Sequence, residues 1–238
     1  MYLTKQDLYT CVEQYRQKLF SVGLSFPLDF FSILKVSPNI TFDYADFDTP
    51  GLRGMAFVNY NGFNSHGILI KSTLSKEEQN FHGVHEILHT VLHSQITNNS
   101  FKCYDQIRPN QSSFIEWQAN EGAAELIMPY RNFIPQFLDL LQCYQFNSAY
   151  WTYTYGGFDI FDVLAKHYGV TSIVAKNRVS TLSFEIDQYA RGTPIDSIRV
   201  ISHNRQQIIG VQATDYVYLI QMATLKYDFG LPWDGVIL

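Results

Sequence analysis

Apolar residues recur at helical spacing near the start of the chain. Leu8, Cys11, Val12, Tyr15 and Leu19 share one face, and Asp7 stands three residues after Thr4, a capping arrangement. This predicts a first helix. Pro27 is suited to open a second, short helix through Leu34, and Ser37-Pro38-Asn39 then turns the chain. Residues 51–64, rich in Gly and Asn, read as strand and turn, and the apolar run 67–71 as a strand. Ser75 with Glu78 three residues later forms a capping-box signature, predicting a helix to about Ser94. Residues 95–113 are polar and turn-forming, which predicts a loop, and residues 114–128 a helix stopped by Pro129. A further amphipathic helix is expected from near Pro135, with Phe137, Leu138, Leu141 and Tyr144 inward. Residues 150–157 read as an aromatic, Gly-broken connection, and 158–168 and 171–182 as two helices around Gly169. Beyond Ser183 the periodicity is weak. A hairpin of 198–201 with 207–211 is expected around His203-Asn204-Arg205, and 214–225 suits either strand or helix.

Composition places this chain among folded proteins. Its 238 residues are 46% hydrophobic and 16% charged, so it can bury a sizeable core. The formal net charge of −5 argues against broad capture of nucleic acid or acidic membrane. Cys11, Cys103 and Cys143 are odd in number and form no CxxC pair, which points to reduced thiols. The polar amino terminus lacks a signal-peptide core, and no run approaches the ~20 apolar residues of a membrane span. A soluble, cytoplasmic protein is expected. Neither a GxxxxGK loop nor a GxSxG elbow is present, so nucleotide hydrolysis and serine-hydrolase chemistry have no foothold.

The chemistry concentrates on two of these helices. His85-Glu86-Ile87-Leu88-His89 is an HExxH motif. Residues four apart share a helix face, so both imidazoles can reach one zinc ion while Glu86 reaches its water. His93 continues the four-residue step, but about 12 Å of helix axis separates it from His85, too far for one tetrahedral site. It is expected near the ligands or at the surface. His82 lies off the end of the ligand pair. On the second helix, Glu116 is followed four residues later by Asn120. If Glu116 ligates the metal, Asn120 can orient a ligand histidine. Ala119, Gly122, Ala123 and Ala124 form a small-residue stripe that permits close helix packing. The alternative is that Glu116, Glu121 and Glu125 are solvated carboxylates.

HEILH followed by EWQANEGAAELIMP resembles the ImmA/IrrE family of zinc metallopeptidases, with similarity running over about residues 51–182. The resemblance implies zinc ligands at His85, His89 and Glu116 and a catalytic glutamate at Glu86. Gln118 stands where many members carry a second acidic residue, and Gly122 where many carry Phe. The implied fold is α+β: a zincin-like domain with a small sheet and active-site helices over 1–150, a helix-turn-helix-like pair over 151–190 and a small carboxy-terminal region over 191–238. The implied activity is that of an intracellular metalloendopeptidase acting on a helix-turn-helix repressor of a mobile element or stress response. Its competitor is a non-proteolytic regulator that binds a transcription factor and keeps zinc as a structural element. Strand 67–71 is a candidate for pairing with an extended substrate, and Tyr104, His93, Tyr130 and Arg131 are candidate donors to the reaction's oxyanion. Direct DNA binding by the helical pair is disfavoured. Lys166, Lys176 and Arg178 face Asp159 and Asp162 over 158–182, a net charge of 3 − 2 = +1.

Overall fold

A computed structural model describes residues 3–60, 64–96, 100–104, 113–143, 145–147, 152–155, 158–202 and 205. The described chain is mixed α+β, as the sequence leads one to expect. It divides into two compact units, one built on residues 8–127 and 168–170, the other on 4–7, 128–167 and the chain from 171 onward.

Helix α1 (Lys5–Ser21), whose start is fixed by Thr4 and Asp7 bonding one another reciprocally, belongs to the first unit from Leu8 onward. Helix α2 (Phe30–Lys35) begins later than Pro27 would place it. Asp29 caps it by accepting from the Ser32 N–H at 3.0 Å, satisfying a donor that proline leaves unserved. Strands β1 (Ile40–Ala45), β2 (Leu52–Phe57), β3 (His66–Lys71) and β4 (Ser100–Tyr104) form one sheet in the order β1-β3-β2-β4. β1 runs parallel to β3, and the other pairs are antiparallel. β4 corrects the loop expected over 95–113: its polar residues belong to a strand that buries Phe101 and Cys103 and exposes Lys102. Because β3 is paired on both sides, it has no open edge for a substrate strand, which overturns that expectation.

Helix α3 (Lys76–Leu92) lies on this sheet and carries both capping-box bonds between Ser75 and Glu78. Its Asn80 amide accepts from the Phe30 N–H and donates to the Gly169 carbonyl, both at 2.8 Å. Gly83 lets the Phe30 ring lie against the helix, since a Cβ there would stand 2.4 Å from ring carbons. Helix α4 (Ser113–Ile127) packs on α3 through the expected small-residue stripe. A Cβ on Gly122 would come within 3.2 Å of Leu88 Cδ1. Leu8, Val12, Ile68, Ile70, Val84, Ile87, Leu88, Ala119 and Ala123 complete this core.

In the second unit, helix α5 (Tyr130–Cys143) starts five residues before Pro135, which sits inside it. The Pro129 carbonyl accepts from Asn132 and Phe133 at 2.9 and 2.8 Å, so the proline that ends α4 also launches α5. Phe137, Leu138 and Leu141 face inward as expected, while Tyr144 lies outside the described residues. The supposed connection over 150–157 includes a strand: β5 (Gln145–Asn147), β6 (Thr152–Tyr155) and β7 (Phe158–Asp159) form a small antiparallel sheet. Helices α6 (Ile160–Tyr168) and α7 (Ser172–Thr181) flank Gly169, whose φ of +64° suits a residue without a Cβ. Helix α8 (Ser183–Ala190) follows at once, where the periodicity of the sequence is weak. Residues 198–201 carry no strand assignment, and the rest of the expected hairpin and residues 214–225 lie outside the described residues.

Two buried cations organise this unit. Lys5 Nζ donates to the Thr181 carbonyl at 2.7 Å and to Glu185 at 3.1 Å, and Glu185 also accepts from the Ile201 N–H. Arg178, 1% exposed, donates to the Met128 carbonyl at 3.1 Å. One of the three cations counted for DNA contact is therefore a core residue.

Candidate metal centre

α3 and α4 bring together the residues on which the sequence reading rests. His85, Glu86 and His89 are fully buried and Glu116 is 5% exposed. The two histidine Nε2 atoms stand 3.1 Å apart, with Glu116 carboxylate oxygens 3.4 Å from His85 Nε2 and 3.8 Å from His89 Nε2. Tetrahedral zinc with bonds of ~2.0–2.1 Å needs ligand atoms about 3.3–3.4 Å apart, so the spacing fits three corners of such a site. Three groups that would repel or strand each other as an apo cluster thus converge on one point.

Both histidines are held from behind. The His85 Nδ1 contacts Asn120 Oδ1 at 3.0 Å, which is the orienting role expected for Asn120. His89 Nδ1 contacts His93 Nδ1 at 2.9 Å, and His93 Nε2 reaches Gln118 Oε1 at 2.9 Å. Because the Gln118 oxygen only accepts, His93 donates from Nε2, its Nδ1 accepts, and His89 donates from Nδ1. That tautomer leaves His89 Nε2 with its lone pair toward the centre. His93 is 2% exposed, which settles the alternative between ligand neighbour and surface residue. Both its nitrogens are committed, so it is not the oxyanion donor. Phe101 of β4 stacks on the His89 ring at 4.4 Å and 10°.

Electrostatics follow from burial. Desolvation, then the charges of His85 and His93, push the His89 pKa well below its ordinary value, keeping the ring neutral and able to ligate. Burial and then the Glu116 charge push the Glu86 carboxyl well above the usual carboxylate range. Both Glu86 oxygens are buried without a hydrogen-bond partner among the described residues. A carboxylate so placed calls for a cation or a polarised water beside it, and the donor set of two imidazoles and a carboxylate fits a divalent metal.

Sequence reasoning did not find two neighbours of Glu86. Gly54 on β2 leaves the room its carboxylate occupies, for a Cβ there would stand 2.7 Å from Oε1. Cys103 on β4 lies opposite Gly54 and contacts His82 Nδ1 at 3.3 Å. Neither has a signal in a linear reading, because both act across the sheet. Glu121 and Glu125, far from being solvated, are buried: Tyr9 donates to the first, and Arg16 pairs with the second at 3.7 Å. Of the other proposed oxyanion donors, Tyr104 ends β4, while Arg131 in the second unit pairs with Asp196 at 2.6 Å and donates to Tyr130 Oη at 3.1 Å.

No helix among the described residues is long and apolar enough to cross a membrane. No curated protein matches the chain. The family model for the IrrE N-terminal-like domain matches residues 37–180, a segment that contains β1 to β4, α3, α4 and every member of the cluster. With more than half of its length in that match, the chain belongs to the Peptidase_M78 family of IrrE N-terminal-like domains, a metallopeptidase family.

Proposed function

We propose that this protein is a zinc-dependent metalloendopeptidase in which His85, His89 and Glu116 hold the metal and Glu86 is the general base. The observation that carries the reading is the Glu86 carboxylate, buried beside the converging ligand atoms with both oxygens unpartnered among the described residues. A purely structural zinc site needs ligands but no base, so this residue favours the enzyme over the non-proteolytic regulator.

When bound, the metal supplies Lewis acidity toward the scissile carbonyl and toward the attacking water. Glu86 accepts the proton of that water on a carboxylate oxygen and returns it to the leaving amine. Its raised pKa, caused by burial and then by the Glu116 charge, makes it a better proton acceptor than an exposed carboxylate. Asn120 and the His93–Gln118 pair hold the two imidazoles in the ligating orientation. The substrate we propose is a helix-turn-helix repressor, on the strength of the family resemblance, cleaved inside the cytoplasm.

Elemental analysis of the purified protein tests this reading. Zinc equimolar with wild-type chain and clearly reduced in Glu116→Ala supports the ligand set. Zinc absent after reconstitution overturns the enzyme, and zinc unchanged by the substitution overturns Glu116 as the third ligand.

A further inference from the structure

Two groups of buried side chains among the described residues are close enough to hold an ion, and they share one member. His85, His89 and Glu116 form one; His85, Glu86 and Cys103 form the other, again with all ligand atoms within 4.8 Å of one another. The shared histidine makes the two sets alternatives. The second set replaces a neutral imidazole by a thiolate and contains the carboxylate that otherwise lacks a partner among the described residues. Two anions, one of them sulfur, make it the softer site.

We propose that His85, Glu86 and Cys103 form a second, thiophilic metal site whose occupation disables the peptidase. The proposal rests on the reading of the first set as the catalytic one. An ion drawn to Cys103 takes Glu86 as a ligand, and a carboxylate bonded to a metal no longer accepts a proton from water. It also draws His85 away from His89 and Glu116. The sulfur ligates as the thiolate. The thiol proton is released to solvent water as the ion binds, so the S–H bond breaks as the S–metal bond forms. β4 fixes the thiol against this pocket: Cys103 is 4% exposed and paired in register with Gly54, the residue that makes room for Glu86. The class of ligand is a soft ion such as Cd²⁺.

The test uses the metal-free full chain titrated with Cd²⁺ alone, reading stoichiometry and the ultraviolet thiolate-to-cadmium charge-transfer band. Wild type and Glu116→Ala are each expected to bind an equimolar amount with the band present. Cys103→Ser is expected to lose the band while still taking up zinc, which shows that it folds. A band of wild-type strength in Cys103→Ser, or no band in the wild type, overturns the proposal. Failure of the first set is a separate result: Cys103→Ser binding neither zinc nor cadmium, with native circular dichroism, while wild type keeps its band. That outcome supports the thiolate site and sinks the catalytic ligand set.

Discussion

Gly54 and Glu86 fit as socket and plug: the space where a β-carbon would stand on the strand residue lies 2.7 Å from the carboxylate oxygen of the helix residue. Gly54→Ala is therefore expected to push Glu86 aside without touching a ligand. Metal content should match wild type, and peptide cleavage should fall by about 10²-fold, the usual cost of displacing a reacting group by ~1 Å. Metal analysis beside kcat/KM separates the two effects; an unimpaired Gly54→Ala enzyme would show that Glu86 needs no such socket.

Replacing Glu86 itself by Gln keeps shape and removes the base. Zinc should remain bound while turnover drops by ~10²–10⁴-fold, the range for losing a general acid–base group. Full cleavage by Glu86→Gln would remove it from the mechanism.

His93 acts through His89. His93→Phe deletes the acceptor for His89 Nδ1, which lies 2.9 Å away in the wild type, and the freed ring can adopt the wrong tautomer. Zinc affinity, measured by competition with a chelator, is expected to weaken by ~10–100-fold. Unchanged affinity would mean that helix packing alone orients His89.

His66 gives a pH dependence unrelated to the metal centre. It is 2% exposed, burial lowers its pKa, and its Nδ1 accepts from the Asn59 N–H at 3.3 Å. In the unfolded chain it takes up a proton near ~6.5. Below that value the unfolded state binds more protons than the folded one, so stability declines as pH falls through this window. His66→Gln should flatten the change in urea midpoint between about pH 7.5 and about pH 5.5. A slope identical to wild type would refute the assignment.

In the second unit, Lys5→Met leaves Glu185 buried with its ammonium partner gone. A cost of ~3–5 kcal/mol is expected in chemical denaturation, much of it recovered by Lys5→Met with Glu185→Leu. Equal loss in single and double variants would place the energy in side-chain packing rather than in charge.

Much of the candidate site's geometry was legible because its information is local. The capping box at Ser75 starts α3 in register, the four-residue step places His85 and His89 on one face, and the ExxxN step places Glu116 and Asn120 likewise. What was missed depends on pairing between distant strands. β4 reads as loop because polar and turn-forming residues surround it over 95–113, and it becomes a strand only by pairing with β2. Cys103 and Gly54 enter the site through that pairing alone. The start of α2 went astray because a proline signal outweighed Asp29, whose side chain supplies the cap.

Asn80 gives the first unit a timing as well as a shape. A single amide on α3 holds the Phe30 N–H and the Gly169 carbonyl, so neither can open to water without breaking a bond to the helix that carries His85. Hydrogen exchange at the Phe30 amide thus reports on the helix that carries the candidate ligands, and the segments that Asn80 joins should exchange as one cooperative block.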